Sequence, residues 1–359
     1  MNPYCARTRT AVPRTNPYLA RTRTAVPRTN LYRRTAYERG TRMTVRTTRT
    51  TRAVKTVRTT RTVRPRITTG TAGPGRPALA AGALLALLAL SATACGADQP
   101  PSLFADGTVQ VGTKNDQPGT AVVRNYKFSG FDTAVARQVL KAVDAKPDFG
   151  IVPSEDRRAV LTDKTKDLVV ATYSITVDRM KDLDFVGPYA TTYEGLMVRK
   201  RDNRIKKPDD VNGKRVCTWP GTTAANTLES PRYNRIQVYE APDASTCIND
   251  LKVKKTADAV SIDQMILYGF TQENPDLKVV PDITYGSANQ YGIAMAKGHR
   301  QDCLKLRDAL RNYLGDNAWS QDFATSLPSI PKADATWETD FKPRLETVDS
   351  LSCRDRPGT

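Results

Sequence analysis

The sequence predicts an α/β fold built as two lobes. Strand patterns alternate with helix patterns through roughly the last 250 residues, as in helices packed on both faces of a sheet, and the series is traversed twice. Residues 108–112 read as a strand. Phe131, Val135, Val139, Leu140 and Val143 fall on one helical face, and residues 168–171 form a short buried strand. The series then repeats. Residues 215–218 are a strand, 222–228 open a helix, and 236–239 are a strand; Asp243 caps a helix running towards Lys252, and 259–261 are another strand. A strand at 291–296 and an amphipathic helix at 302–314 complete the pattern.

Ahead of this region lies a different kind of polymer. Residues 1–94 carry 18 Arg, one Lys and a single acidic residue, Glu38, whereas residues 95–359 carry 36 basic and 36 acidic residues. A pI near 9.7 would otherwise point to nucleic acid or an anionic surface as partner. The excess charge belongs wholly to the leader, so nucleic acid is not expected as a partner.

Within residues 1–77, a basic low-complexity leader, 2–15 recur almost unchanged as 16–29, and a Thr/Arg tract at 41–66 lacks apolar periodicity. Such a segment cannot bury enough surface to offset the entropy of ordering. It is either a disordered basic arm or the mark of a start assigned too early, with Met43 or a later codon beginning the protein; the second reading is preferred. Residues 78–95 combine an apolar run too short to span a bilayer, the small residues Ser91, Ala92, Thr93 and Ala94, and Cys95. That is the pattern of a lipoprotein signal peptide with Cys95 as the acylated first mature residue, although Ala92 stands where Leu is more usual. The protein is expected to be exported and lipid-anchored on the outer face of the cell membrane, with residues 96–107 as a tether.

Four cysteines remain for the mature region: Cys217, Cys247, Cys303 and Cys353. In an exported chain an even number favours two disulfides. Three pairings are possible, and Cys217 with Cys247 and Cys303 with Cys353 is expected because each closes a loop within one region. No CxxC pair exists and His299 is the only histidine, so no metal site is expected. His299 follows Lys297-Gly298 in a polar turn, which leaves no histidine-based catalytic arrangement, and no phosphate-binding glycine loop is present. No catalytic residue and no cofactor are expected.

Motifs then narrow the reading. GFDTAVARQVL at 130–140, DLVVATYSITVDRMKDLDFVGPYATTYEGLMV at 167–198, VNGKRVCTWPGTT at 211–223, DAVSIDQ at 258–264 and YGIAMAKG at 291–298 stand in one order. This series resembles the polar amino-acid branch of the type 2 periplasmic binding proteins, the solute receptors of ABC importers, and within it the glutamate-binding lipoproteins of actinobacteria. The resemblance covers about 109–327. It implies two α/β lobes with a ligand cleft between them: lobe I from 108–190 and 290–345, lobe II from 191–289, two crossover strands near 190–195 and 285–289, and a C-terminal tail at 346–359. It also implies the Cys217–Cys247 pairing, since such relatives carry a later Cys about thirty residues after a KVC segment.

By the same resemblance, Thr172, Ser174 and Arg179 of lobe I and Thr222, Thr223 and Asp263 of lobe II hold the ligand. The chemistry suits a zwitterion. A carboxylate is matched by the planar, permanently charged fork of Arg179, and an ammonium by the Asp263 carboxylate; an unpaired buried charge would cost several kcal/mol. In relatives that take basic amino acids or glutamine the position of Lys114 tends to be acidic. Lys114, with Arg157 as a second candidate, is therefore expected to pair with a ligand side-chain carboxylate; alternatively Lys114 points outward as a solvated strand-end residue. Tyr126, Phe128 and Tyr173 are candidates to pack on the ligand's methylenes. The implied protein is a monomeric, non-enzymatic receptor that delivers glutamate, or aspartate, to an ABC permease. A sensor partnered with a membrane signalling protein and a periplasmic dehydratase-like enzyme are the alternatives.

Overall fold

The computed structural model describes residues 100–354. The leader, the apolar segment and Cys95 lie outside the described residues. Lobe I begins with β1 (Thr108–Thr113) and a small antiparallel sheet of β2 (Asp116–Gln117), β3 (Ala121–Arg124) and β4 (Lys127–Ser129). It continues with α1 (Phe131–Lys141), β5 (Lys146–Ile151), α2 (Ala159–Thr162) and β6 (Leu168–Val169). The long strand β7 (Leu183–Arg199) then crosses into lobe II.

Lobe II holds β8 (Arg215–Thr218), α3 (Thr223–Leu228), β9 (Gln237–Glu240), α4 (Ala244–Asn249), β10 (Ala259–Asp263), α5 (Gln264–Glu273) and β11 (Leu277–Val279). Strand β12 (Tyr285–Ala296) returns the chain to lobe I, which ends in α6 (Arg300–Gly315), α7 (Ala318–Ser326), α8 (Ser329–Ala333), α9 (Trp337–Phe341) and α10 (Leu345–Leu351).

One sheet runs through both lobes in the order β5-β1-β6-β12-β7-β10-β8-β9, with β11 on β7. The outer pairs β1–β5 and β8–β9 are parallel, and the central pair β7–β12 is antiparallel. The lobe boundaries expected near 190 and 290 thus fall inside two continuous strands. Their register shifts between Tyr285 and Asn289 and again between Tyr291 and Ile293. These irregularities bracket the crossing, where a strand pair has to bend.

Each lobe buries its own apolar face. Phe131, Val135, Val139 and Leu140 of α1 meet Cys303, Leu306, Leu310 and Leu314 of α6, with Trp319, Phe323 and Phe341 beside them. In lobe II, Met197, Trp219, Val260, Ile262, Ile266 and Phe270 form a second core. Asp243 caps α4 by accepting from the Thr246 N–H at 2.7 Å, as its position before an apolar run implies. Cys217–Cys247 lies in lobe II and Cys303–Cys353 in lobe I.

Two segments differ from expectation. The stretch 346–359 is not a loose tail as far as it is described: Val348 of α10 is fully buried, and the Cys353 N–H donates to Phe185 O. The tether is also docked from its middle onward. Ser102 Oγ and the Leu103 N–H donate to Asp302 at 2.7 and 2.8 Å, and Leu103 and Phe104 pack on the lobe I core. Both segments contribute apolar side chains that lobe I needs to close its core.

Candidate functional site

The C-terminal ends of β1, β6, β8 and β10 converge where the lobes face each other. Residue 172 follows β6 in a left-handed turn, φ 46°. A β-branched residue adopts that conformation only when its surroundings dictate it. Here the Thr172 N–H donates to Asp132 Oδ2 at 2.8 Å and its hydroxyl to Gln117 Oε1 at 3.0 Å. Asp132, fully buried, also accepts from Tyr189 Oη at 2.8 Å, and burial pushes its carboxyl up to about 7. Ser174 forms a bridge to Tyr291 of β12, which pins this loop to the crossing strand.

Two guanidiniums rise from this shelf. Arg179 Nη1 donates to Ser174 O at 2.7 Å and Nη2 to Gly221 O at 2.9 Å. Arg157 donates to Ser154 O, Ala171 O, Thr172 O and Gly221 O at 2.7–3.1 Å. Both lie over the Tyr173 ring, 4.4 Å from its centroid. Burial lowers the Arg157 pKa to about 9, with the Arg179 charge as the second cause, and burial lowers that of Arg179 as well; both stay charged at neutral pH. Of the five N–H donors of a guanidinium, four are committed on Arg157 and two on Arg179. Arg179 is therefore the side chain with donors to spare.

Lobe II supplies the opposite charge. Asp263, at the end of β10, accepts from Asn289 Nδ2 and Tyr291 Oη, each at 2.6 Å. Burial raises its pKa, against the pull of these two bonds and of the Arg179 and Arg157 charges. Thr222 has a structural role: its hydroxyl caps α3 by accepting from the Ala225 N–H at 3.1 Å and donates to Trp219 O at 2.8 Å. Thr223 begins the helix beside it.

These groups close around a narrow cavity of about 10 Å³ lined by Gln117, Ser154, Arg157, Thr172, Ser174, Arg179, Thr222, Thr223, Ile262, Asp263 and Ile266. Larger hollows elsewhere, such as that between residues 102–105 and α6, are more open to solvent. The cavity brings together all the sequence-derived polar and charged candidates except Lys114. Lys114 is neither solvated nor part of the wall. It is buried, with Nζ 3.7 Å from Asp116 Oδ1, and desolvation lowers its pKa against the opposing Asp116 charge. Asp116 Oδ2 in turn accepts from the Ala244 N–H of lobe II at 3.1 Å, so this pair ties the lobes together.

Of the aromatic candidates, Tyr126 is exposed and Phe128 packs on Phe149, while Tyr173 underlies the two guanidiniums instead of lining the cavity. Sequence reasoning missed Gln117, Ser154, Ile262 and Ile266 in the wall, and Asn289 and Tyr291 behind Asp263. Ser154 Oγ is buried without a partner, a feature visible only in three dimensions.

The closed approach of the lobes depends on Gly221. A Cβ there would meet the Glu155 Cα and N and Ser154 O at 2.6 Å, and its φ is +74°. Only glycine lets the backbone come close enough to place one carbonyl on both guanidiniums. Chemically, the cavity presents two cations facing one anion between the lobes, an arrangement that can neutralise a zwitterion and hold the lobes together around it.

Known proteins resemble this chain in sequence and in fold. Residues 109–338 match the bacterial extracellular solute-binding proteins, family 3. The glutamate-binding protein GluB of Corynebacterium glutamicum is 31% identical over 253 residues, covering 66% of this chain and 85% of that protein. A glutamine-binding protein of Geobacillus stearothermophilus is 28% identical over 201 residues, 54% of this chain and 71% of that one. Among solved structures, an ancestral arginine-binding protein bound to arginine superposes with a TM-score of 0.56 at 27% identity, covering 61% of this chain and 97% of that one. A solute receptor for L-cysteine of Neisseria gonorrhoeae, 20% identical, shares the fold with a TM-score of 0.60 over 67% of this chain and 98% of that chain. The chain belongs to the bacterial extracellular solute-binding proteins of family 3.

Proposed function

We propose that this protein captures an acidic amino acid, glutamate before aspartate, and delivers it to an ABC permease from a lipid anchor at Cys95. The observation that carries the acidic specificity is the charge of the cavity wall. Arg157 and Arg179 face one carboxylate in the wall, Asp263, which leaves one surplus positive charge while the neighbouring Glu194 carboxyl holds its proton. Glutamate and aspartate bring one net negative charge, glutamine brings none, and arginine would add a positive one. Burying an unbalanced charge costs several kcal/mol, so the acidic ligand is the one that closes the account.

In this reading the α-carboxylate lies on Arg179, with Thr172, Ser174 and Thr223 around it, and the ammonium lies on Asp263. The side-chain carboxylate takes the remaining Arg157 donor and the Ser154 hydroxyl. The role first expected of Lys114 passes to Arg157, because the Lys114 ammonium is turned to Asp116. The name of the Corynebacterium relative supports glutamate. The anchor is supported by the apolar run at 78–90, the small residues that follow it and Cys95 itself.

A thermal-shift screen of all twenty amino acids, followed by calorimetric titration, tests the reading. Glutamate should stabilise the protein and bind at least tenfold more tightly than glutamine. Glutamine or a basic amino acid as the best ligand overturns the acidic assignment, and stabilisation by no amino acid overturns the receptor reading. For the anchor, Cys95→Ala should release the protein from the membrane fraction of the producing cell; retention there overturns lipidation.

A further inference from the structure

The hinge holds a carboxyl that the binding mode above leaves unused. Glu194 lies in the crossing part of β7, 1% exposed, directly opposite Asp263 on β10 and opposite Tyr285 on β12. Directly paired residues on neighbouring antiparallel strands project from the same face, with Cβ atoms about 5 Å apart. The groups facing Glu194 are thus Asp263 and Ser261 from β10, Tyr285 from β12 and Thr227 from α3. Ser261 Oγ donates to its carboxyl at 3.2 Å, Thr227 supplies a second bond, and Tyr285 Oη is buried without a partner.

None of the groups acting on Glu194 is a cation; Arg179 and Arg157 act on Asp263 instead. Two carboxyls therefore share one dry strand pairing, and only one of them has positive charge nearby. The ammonium of a bound amino acid, held by Asp263, is the cation that this corner lacks.

We infer that Glu194 is a positioning residue for the ligand ammonium, acting through Asp263, and that capture of the amino acid releases the Glu194 proton to solvent. The O–H bond of the carboxyl breaks, the electron pair stays on the carboxylate, and the proton leaves with the buffer; nothing is oxidised or reduced. Burial, with the Asp263 charge as second cause, pushes the free-state carboxyl up to about 7, where such a proton is available to be released. By linkage, a cation that favours the carboxylate binds more tightly as pH rises through that value and less tightly below it. The inference rests on the proposed placement of the ammonium at Asp263.

Asp132, on the far side of the shelf beneath Arg157, titrates in the same range. The comparison of wild type with Glu194→Gln therefore carries the test, not the wild-type profile alone. Calorimetric titration of the full chain from pH 5.5 to 8.5, with glutamate or whichever amino acid the screen returns, gives the ratio of the two dissociation constants. That ratio should change by roughly three- to tenfold, as expected when a neighbouring charge moves a pKa by up to about one unit. Titration in two buffers of different ionisation heat should show proton release at pH 7 by the wild type and less by Glu194→Gln. Thr227→Val, which removes a donor to the carboxylate, should move the midpoint upward and serves if the glutamine variant fails to fold. A constant ratio, equal proton release and an unmoved midpoint, with the amino acid still bound, would overturn this inference alone. Loss of amino-acid binding by the wild type would remove the receptor reading and this inference together.

Discussion

The two halves of the cleft are built on different principles. The lobe I half is self-supporting: Arg157 and Arg179 are oriented by carbonyls of their own lobe and by the Tyr173 ring, and only Gly221 O comes from across the cleft. The lobe II half is wired to the crossing strand, because Asp263 is held by Asn289 and Tyr291 of β12. A cationic shelf that exists in the open lobe can take a carboxylate first. An anion held by the hinge can then register the ammonium only when the lobes have come together. Binding and closing are thereby coupled, since the ligand contacts both halves only in the closed arrangement.

The strongest way to break this comparison is to remove one charge from each half. Arg179→Ala should weaken glutamate binding on the order of a thousandfold, the range seen when one partner of a buried, hydrogen-bonded charge pair is truncated. Asp263→Asn should also weaken binding, and it alone should disturb closure seen by small-angle scattering. Equal effects on closure would mean that the halves are not distinct.

The disulfides compare the lobes as scaffolds. They are separated by 30 residues in lobe II and 50 in lobe I. Loop-closure entropy predicts losses of roughly 3.5 and 4 kcal/mol on removal, read by denaturant unfolding of the paired Cys→Ala variants. A larger loss from Cys217–Cys247 would place the weaker core in lobe II.

Most of the fold was legible because its signals are local. The α1 and α6 faces follow from apolar spacing, the α4 start from Asp243, and the motif series supplied the two-lobed plan. Arg179 and Asp263 were singled out by the motif series, and their residue types suit a carboxylate and an ammonium; Arg157 was a second candidate beside Lys114. Lys114 turns to Asp116, two residues away, which is itself fixed by a contact from lobe II. A sequence reads charge reversal at a position, not the direction in which a side chain turns. Ser154, Gln117 and the hinge residues Asn289 and Tyr291 carry no local signature. Their roles arise from the closeness of segments far apart in the chain.

The buried acids allow a smaller test, one on each side of the comparison. Asp132 behind the shelf and Glu194 at the hinge are both raised to about 7, chiefly by burial. A carboxyl raised in the folded state binds more protons folded than unfolded between its two pKa values. Its contribution is complete below the unfolded value near 4 and is lost as pH rises through about 7. The melting temperature of the ligand-free protein should therefore fall by several degrees between pH 5 and pH 8. Carboxylates with depressed pKa, such as Asp202 beside Arg204, lose their contribution only at more acid pH and stay out of this window. Glu194→Gln should flatten part of the fall, and a profile unchanged by that substitution would place the titration on the lobe I side.

Gly221→Ala tests the meeting of the halves. The added Cβ meets lobe I backbone at 2.6 Å and the positive φ adds strain, so the variant should bind glutamate about tenfold less tightly while each lobe keeps its fold. Circular dichroism and titration together check this; unchanged affinity would mean that closure does not need this approach.

The smallest effect separates a ligand group from a capping group within lobe II. Both sides of the Thr222 hydroxyl are engaged, with the Ala225 N–H and Trp219 O, so it has little left to offer a ligand. Thr222→Ala should cost about 1 kcal/mol of stability through loss of the α3 cap, with glutamate affinity changed less than fivefold, and Thr222→Ser should restore the stability. Thermal melts and titration of the two variants read these terms independently. If instead Thr222→Ala leaves stability intact and weakens binding tenfold or more, the hydroxyl turns to the ligand on binding, and the lobe II half is less pre-organised than its hydrogen bonds imply.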